Sequence, residues 1–170
     1  DQTIKDFTHV INHQGTETKA VYYGNDPFGL KGTYITTLES MIGRVYQFRG
    51  LAYQKLGSYK EAMNDFNTSF EYDTISDFYI RRALLYAKVS ENALGIGDLY
   101  EAIAVEPQNY LSWYNLVILD ESAIVPDYLL EEDEFTPMLN LLGANAYEQG
   151  EYALSSEYHS RAIEANPEDE

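Results

Sequence analysis

The chain contains no cysteine in its 170 residues, which excludes disulfides, thiolate zinc sites and a cysteine nucleophile. A Cys-free chain is tolerated in reducing and oxidising compartments alike, so this absence leaves the setting open. Long apolar runs are also missing. None approaches the roughly 18 to 20 residues a membrane span requires, and no signal-peptide pattern is present, so the chain is expected to be soluble and not to insert into a membrane. Cations are nearly absent from the second half. Residues 86–170 hold two Lys/Arg (Lys88 and Arg161) against eighteen Asp/Glu, a balance of −16, whereas residues 1–85 hold nine against ten. A field of that sign attracts basic partners and repels nucleic acid and anionic lipid. It also serves simply to keep helix faces dissolved.

The inventory for catalysis is thin. Three histidines are present, and His9, His13 and Glu17 have the i, i+4, i+8 spacing that would put metal ligands on one helix face. Gly15 stands between them and is expected to end the helix and split the set, so no metal site is assigned. Gly95-x-Gly97 is half of a dinucleotide fingerprint with no strand before it and no third glycine, and reads as the start of a helix. The acidic run Glu131 to Glu134 lacks the alternation and central glycine of a calcium loop. No nucleophile and base pair can be assembled, and neither an enzyme nor a cofactor is expected.

What the chain does have is repetition. An aromatic or leucine anchor, a small residue four positions later and a short turn recur at a spacing of roughly 34 residues. One copy reads Tyr46-x-x-Arg49-Gly50-x-x-Tyr53, then Gly57-x-Tyr59-x-x-Ala62-x-x-x-Phe66-x-x-Ser69. Others are Tyr79-x-x-Arg82-Ala83-x-x-Tyr86 with Leu99, Ala102 and Pro107, and Leu139-x-x-Leu142-Gly143 with Gly150-x-Tyr152, Ser155, Ala162 and Pro167. The copy from Tyr79 lacks a turn glycine. Small residues (Gly50, Ala83 and Gly143 on first helices; Ala62, Ser69, Ala102, Ser155 and Ala162 on second helices) are needed where two antiparallel helices cross, since larger ones would force them apart. Tyr46, Gly50 and Tyr53 form an i, i+4, i+7 face. One pair cannot bury its face alone, so neighbours must stack.

The pattern resembles the tetratricopeptide repeat. The resemblance implies an all-α fold, an α-α superhelix built as a right-handed solenoid of antiparallel helix pairs. Units are expected at 43–75, 76–109 and 136–170, with a shortened one at 110–135 and a degenerate repeat and loop at 1–42. In the N-terminal part, Asp6 to Ile11 reads as a helix with Phe7 and Val10 packing, and the turn-rich Gly24 to Gly32 segment as a loop. In the short unit, Trp113 takes the anchor and Pro126 is expected to open a short second helix through Leu129 and Leu130.

The resemblance further implies a protein-protein interaction scaffold without catalysis, whose first helices line a concave groove at positions 2, 5, 9 and 12 of each unit. Carried onto this sequence, the partner-binding set is Arg44, Gln47, Leu51 and Gln54; Ile80, Leu84 and the neighbouring Arg81; Leu111, Tyr114 and Ile118; and Asn140 and Tyr147. The basic set that clamps a chaperone's C-terminal carboxylate in this family is absent, Arg81 alone matching. A peptide or protein segment with apolar side chains and basic flanks fits better. The alternative is an envelope-attached or secreted helical-repeat binding protein for a small ligand or glycan, using the Gly24 to Gly32 loop and exposed tyrosines.

The ends carry expectations too. The chain starts at Asp1 in mid-unit and without methionine, so an upstream segment, with any targeting signal, is expected to have been removed. A cytoplasmic setting is expected, or a periplasmic or envelope one if such a signal existed. The chain finishes at Pro167-Glu168-Asp169-Glu170 with no capping helix, which implies a fragment of a longer array or self-association through uncapped ends.

Overall fold

The computed structural model describes residues 2–13, 38–132 and 135–165. Thr16 to Tyr23, the Gly24 to Gly32 loop and Glu17 lie outside these, as do Asp133 and Glu134. Among the described residues there are eight α-helices and no strand: α1 (Gln2–Asn12), α2 (Leu38–Lys55), α3 (Tyr59–Ser69), α4 (Ser76–Lys88), α5 (Asn92–Val105), α6 (Tyr110–Leu119), α7 (Thr136–Glu148) and α8 (Tyr152–Ala165). Gly43 does not interrupt α2. The chain divides into two compact units, Asp1–Phe78 and Tyr79–Glu170.

In the first unit α2 packs against both α1 and α3. Ile11 is the buried residue of α1, while Val10 is exposed and Phe7 instead stacks on Phe48 with ring centroids 6.2 Å apart. The α2–α3 crossing is tight because Gly50 faces Phe66: a Cβ placed there would lie 2.6 Å from the ring. Phe66, Ala62 and Ser69 on α3 have no measurable exposure.

In the second unit one apolar cluster runs from Ile80 and Ala83 on α4 through Leu99, Trp113, Leu116 and Leu139 to Ala162 on α8. The α7–α8 crossing repeats the device of α2–α3. A Cβ at Gly143 would lie 2.7 Å from the His159 ring. All eight small residues expected at helix crossings are buried.

Three of the intra-pair turns share one geometry. The chain reverses at Gly57 (φ +77°) and Gly150 (φ +81°), and the following amide reaches back five residues: Ser58 N–H donates to the Tyr53 carbonyl at 3.0 Å, and Glu151 N–H to that of Ala146 at 2.8 Å. Glycine is suited to this left-handed region because it has no Cβ to clash. The turn after α4 keeps the geometry with serine, Ser90 lying at φ 65° and Glu91 N–H donating to the Tyr86 carbonyl at 2.8 Å. A side chain in that region costs about 1–2 kcal/mol, partly offset by glycine's freedom in the unfolded chain. Ser90→Gly should therefore raise stability by about 0.5–1 kcal/mol in urea denaturation. A lower midpoint than wild type would refute this.

The stretch after α6 differs from the sequence expectation. Among the described residues, no regular second helix follows Pro126 before α7. The segment instead makes successive i to i+3 turns, with Leu129 N–H bonding to the Pro126 carbonyl and Leu130 N–H to that of Asp127, each at 3.0 Å. The reason is length: helix nucleation is recovered only over several turns, and the next helix begins ten residues after Pro126. The turns still bury Ala123, Val125, Leu129, Leu130 and Phe135, and so supply apolar surface without a helix.

Candidate functional site

The most regular chemistry in the molecule is a guanidinium clamp that occurs twice. Arg49 on α2 donates through Nε and Nη2 to the two carboxylate oxygens of Asp65 on α3, each at 2.7 Å. Arg82 on α4 makes the same pair of 2.7 Å bonds to Asp98 on α5. Each guanidinium also lies beside two tyrosine rings on its own helix: Arg49 Cζ is 5.4 and 5.9 Å from the ring centres of Tyr46 and Tyr53, and Arg82 Cζ is 6.0 Å from both Tyr79 and Tyr86. The tyrosine anchors of the repeat thus cover a cation as well as fill space. The bonds to the aspartates, opposed by burial, raise both arginine pKa values further above an already high value, so both stay charged at any relevant pH. This clamp is structural. It ties the two helices of a pair together.

The twelve residues proposed as partner contacts divide into three groups. Gln47 and Ile80 are interior, at 2% and 5% exposure, which corrects their expected place on an open face. Gln47 Nε2 donates to the Ser69 hydroxyl between α2 and α3, while Ile80 joins the core of the second unit. Leu51, Gln54, Arg81 and Tyr114 are half-buried. Tyr114 packs on the core and stacks on Tyr110 (5.4 Å), whose ring meets Phe135 edge-on at 5.3 Å. Arg44 and Asn140 are exposed. So are Leu84, Leu111, Ile118 and Tyr147, at 42, 53, 49 and 63%. Arg44, Gln47, Leu51 and Gln54 lie in the first compact unit and the other eight in the second.

The second unit therefore carries a set of outward apolar side chains on its first helices: Leu84 on α4, then Leu111 and Ile118, seven residues apart on one face of α6. The α6 face is fixed at its start by Asn109, whose side chain accepts from Ser112 N–H, and by Trp113, whose indole N–H donates to the Pro107 carbonyl at 2.8 Å. Tyr147 meets Tyr152 edge-on at 5.4 Å, both rings being exposed. Of the cations in this unit, Arg82 is held by Asp98 and Arg161 lies 3.8 Å from Asp127. Burial, helped by the Asp127 charge, pushes the Tyr158 phenol above its usual pKa, so it remains a neutral hydroxyl.

Sequence reasoning named Arg49 and Arg82 but missed their partners. The available signal was that Asp65 and Asp98 each stand sixteen residues after the arginine. Tyr152 enters the sequence reading only within the Gly150-x-Tyr152 element, and its partnership with Tyr147 had no sequence signal.

Paired antiparallel helices in succession, with small residues at each crossing, define an all-α helical-repeat protein. Residues 43–74 match the tetratricopeptide repeat family, and this segment of the chain is such a repeat. Solved structures share the fold. MamA is 19% identical, with 74% of this chain and 78% of that one covered and a TM-score of 0.59. YrrB, described as a TPR protein with an unusual peptide-binding site, is 16% identical over 78% and 73% of the two chains, with a TM-score of 0.56. The C-terminal part of a TPR repeat-containing protein from Cytophaga hutchinsonii is 13% identical, covers 96% of this chain and 58% of its own, and has a TM-score of 0.64. No curated protein matches the sequence. The chain is a protein of tetratricopeptide-repeat fold, a class that typically serves as a non-catalytic scaffold.

Proposed function

We propose that the chain is a protein-interaction module that holds a segment with apolar side chains and basic flanks on the first-helix face of its second unit, without catalysis of its own. The observation that carries this reading is the exposure of Leu84, Leu111 and Ile118 on a unit, residues 79–170, with four Lys/Arg against eighteen Asp/Glu. Exposed leucines and isoleucines at regular first-helix positions offer apolar anchoring, and the surrounding carboxylates select the sign of the flanks. The peptide site described for YrrB, a protein of the same fold, supports a segment rather than a small molecule. Half-buried Tyr114 supplies an amphipathic wall beside the anchors.

A peptide-display library selected on the wild-type chain tests this. Enriched sequences should place apolar residues between Lys/Arg, and their affinity should fall as salt rises. Binding should drop at least about tenfold in Tyr114→Ala/Ile118→Ala and in Leu111→Glu, the latter altering an exposed side chain. Circular dichroism checks that helix content is kept. Undiminished binding by the folded variants, or enrichment of acidic peptides, would sink the proposal.

A further inference from the structure

We propose that His9 and His13 form a two-imidazole site for a divalent transition-metal ion at the C-terminal end of α1. The helix ends near here, so Glu17 is not needed for the site and the break at Gly15 that set the metal reading aside does not touch this pair. Residues four apart share a helix face, and the two rings lie with centroids 3.9 Å apart and planes tilted by 36°. Zinc–nitrogen bonds of about 2.0–2.1 Å put two ligating nitrogens roughly 3.3 Å apart at the tetrahedral angle. Rotation of the two side chains from their present arrangement is what would bring one nitrogen of each ring to that separation.

For His13 the present rotamer sets a tautomer that a ligand can use. His13 Nδ1 lies 2.7 Å from the His9 carbonyl oxygen. A carbonyl only accepts, so Nδ1 carries the proton, and in the neutral ring Nε2 holds the lone pair. Donation from the remote nitrogen to a backbone carbonyl is the usual way a metal-binding histidine is oriented and made more basic. The electrostatics agree. The C-terminal end of a helix is the negative end of its dipole. Both residues are exposed, so an ion reaches them without opening the fold.

The donor set selects the class of ion. Imidazole suits zinc, copper and nickel, whereas calcium and magnesium require oxygen ligands. Two protein ligands leave the remaining positions to water, in contrast to the four of a structural zinc site. The site is accordingly open and exchangeable, and the fold does not depend on its occupancy.

The chain's three histidines make the test direct: only three imidazole patterns appear in a long-range nitrogen-15 spectrum. Titration with zinc(II) should move the His9 and His13 signals together, saturating at one ion per chain, while His159 stays fixed. Loss of an outer partner alone typically weakens metal binding about 10–100-fold, so His9→Ala and His13→Ala should each weaken it at least about tenfold. Calcium should move none of the three rings. Both side chains being exposed, the variants should retain wild-type circular dichroism. Zinc that shifts neither ring, or only one, or that binds a folded His9→Ala/His13→Ala chain with undiminished affinity at the same imidazole signals, overturns the assignment.

Discussion

Gly50→Leu should destabilise the chain by about 3 kcal/mol, since inserting side-chain carbons into a filled helix crossing generally costs about 1–3 kcal/mol and sometimes more. The first added carbon would already meet Phe66 Cε1 at 2.6 Å, Phe66 Cδ1 at 2.7 Å and the Ala62 carbonyl oxygen at 3.2 Å. Phe66 is fully buried and has nowhere to move. The other outcome to consider is that the helix gains from losing a glycine, by about 1 kcal/mol. Gly97 isolates that gain, because nothing lies within 4 Å of a Cβ placed there. Gly97→Ala should stabilise by up to about 1 kcal/mol, whereas Gly50→Ala should not. Chemical denaturation reads all three. Equal gains at positions 50 and 97 would mean that the α2–α3 crossing has room, contrary to the geometry.

A loss of similar size is expected from Asp98→Ala. The substitution leaves the guanidinium of Arg82, a side chain only 20% exposed, without its bidentate carboxylate. Breaking a buried ion pair from one side costs about 3–5 kcal/mol, and this partly exposed pair should fall at the lower end, near 3. Against total stabilities of about 5–15 kcal/mol that is a large fraction. Removing both partners is a different matter, because apolar replacements of similar volume are often neutral. The chain contains a natural instance: Leu142 and Tyr158 are spaced sixteen apart on α7 and α8, as Arg82 and Asp98 are on α4 and α5. Arg82→Met/Asp98→Leu should therefore recover most of the loss. A single Asp98→Ala effect below about 0.5 kcal/mol would mark the pair as no better than a surface contact.

These contrasts show what was legible in the sequence. Small residues at helix crossings announce themselves, since only close approach explains their recurrence opposite aromatic anchors, and every one of the eight is buried. Helices α4, α6 and α7 begin at Ser76, Tyr110 and Thr136, 34 and 26 residues apart. Asp65 and Asp98 were illegible one at a time, because an aspartate in an amphipathic helix reads as solvated. Only the repeated spacing from arginine distinguishes them. The same limit applies to the proposed binding face. Register alone assigned Gln47 and Ile80 outward, and register cannot register that a long amide reaches Ser69 or that Ile80 closes a core. Leu84, Leu111 and Ile118 came from that same register, and their exposure leaves them available.

The irregular stretch between α6 and α7 has a consequence for how the second unit opens. Repeat arrays ordinarily behave as a row of neighbours, each able to unzip with little effect beyond the next. Here Val125, Leu129, Leu130 and Phe135, from a segment with no helix of its own, sit in the same interior as Ile80 at one end and Ala162 at the other. Residues 80–162 should accordingly open as one foldon, their amides protected and released together in hydrogen exchange rather than repeat by repeat.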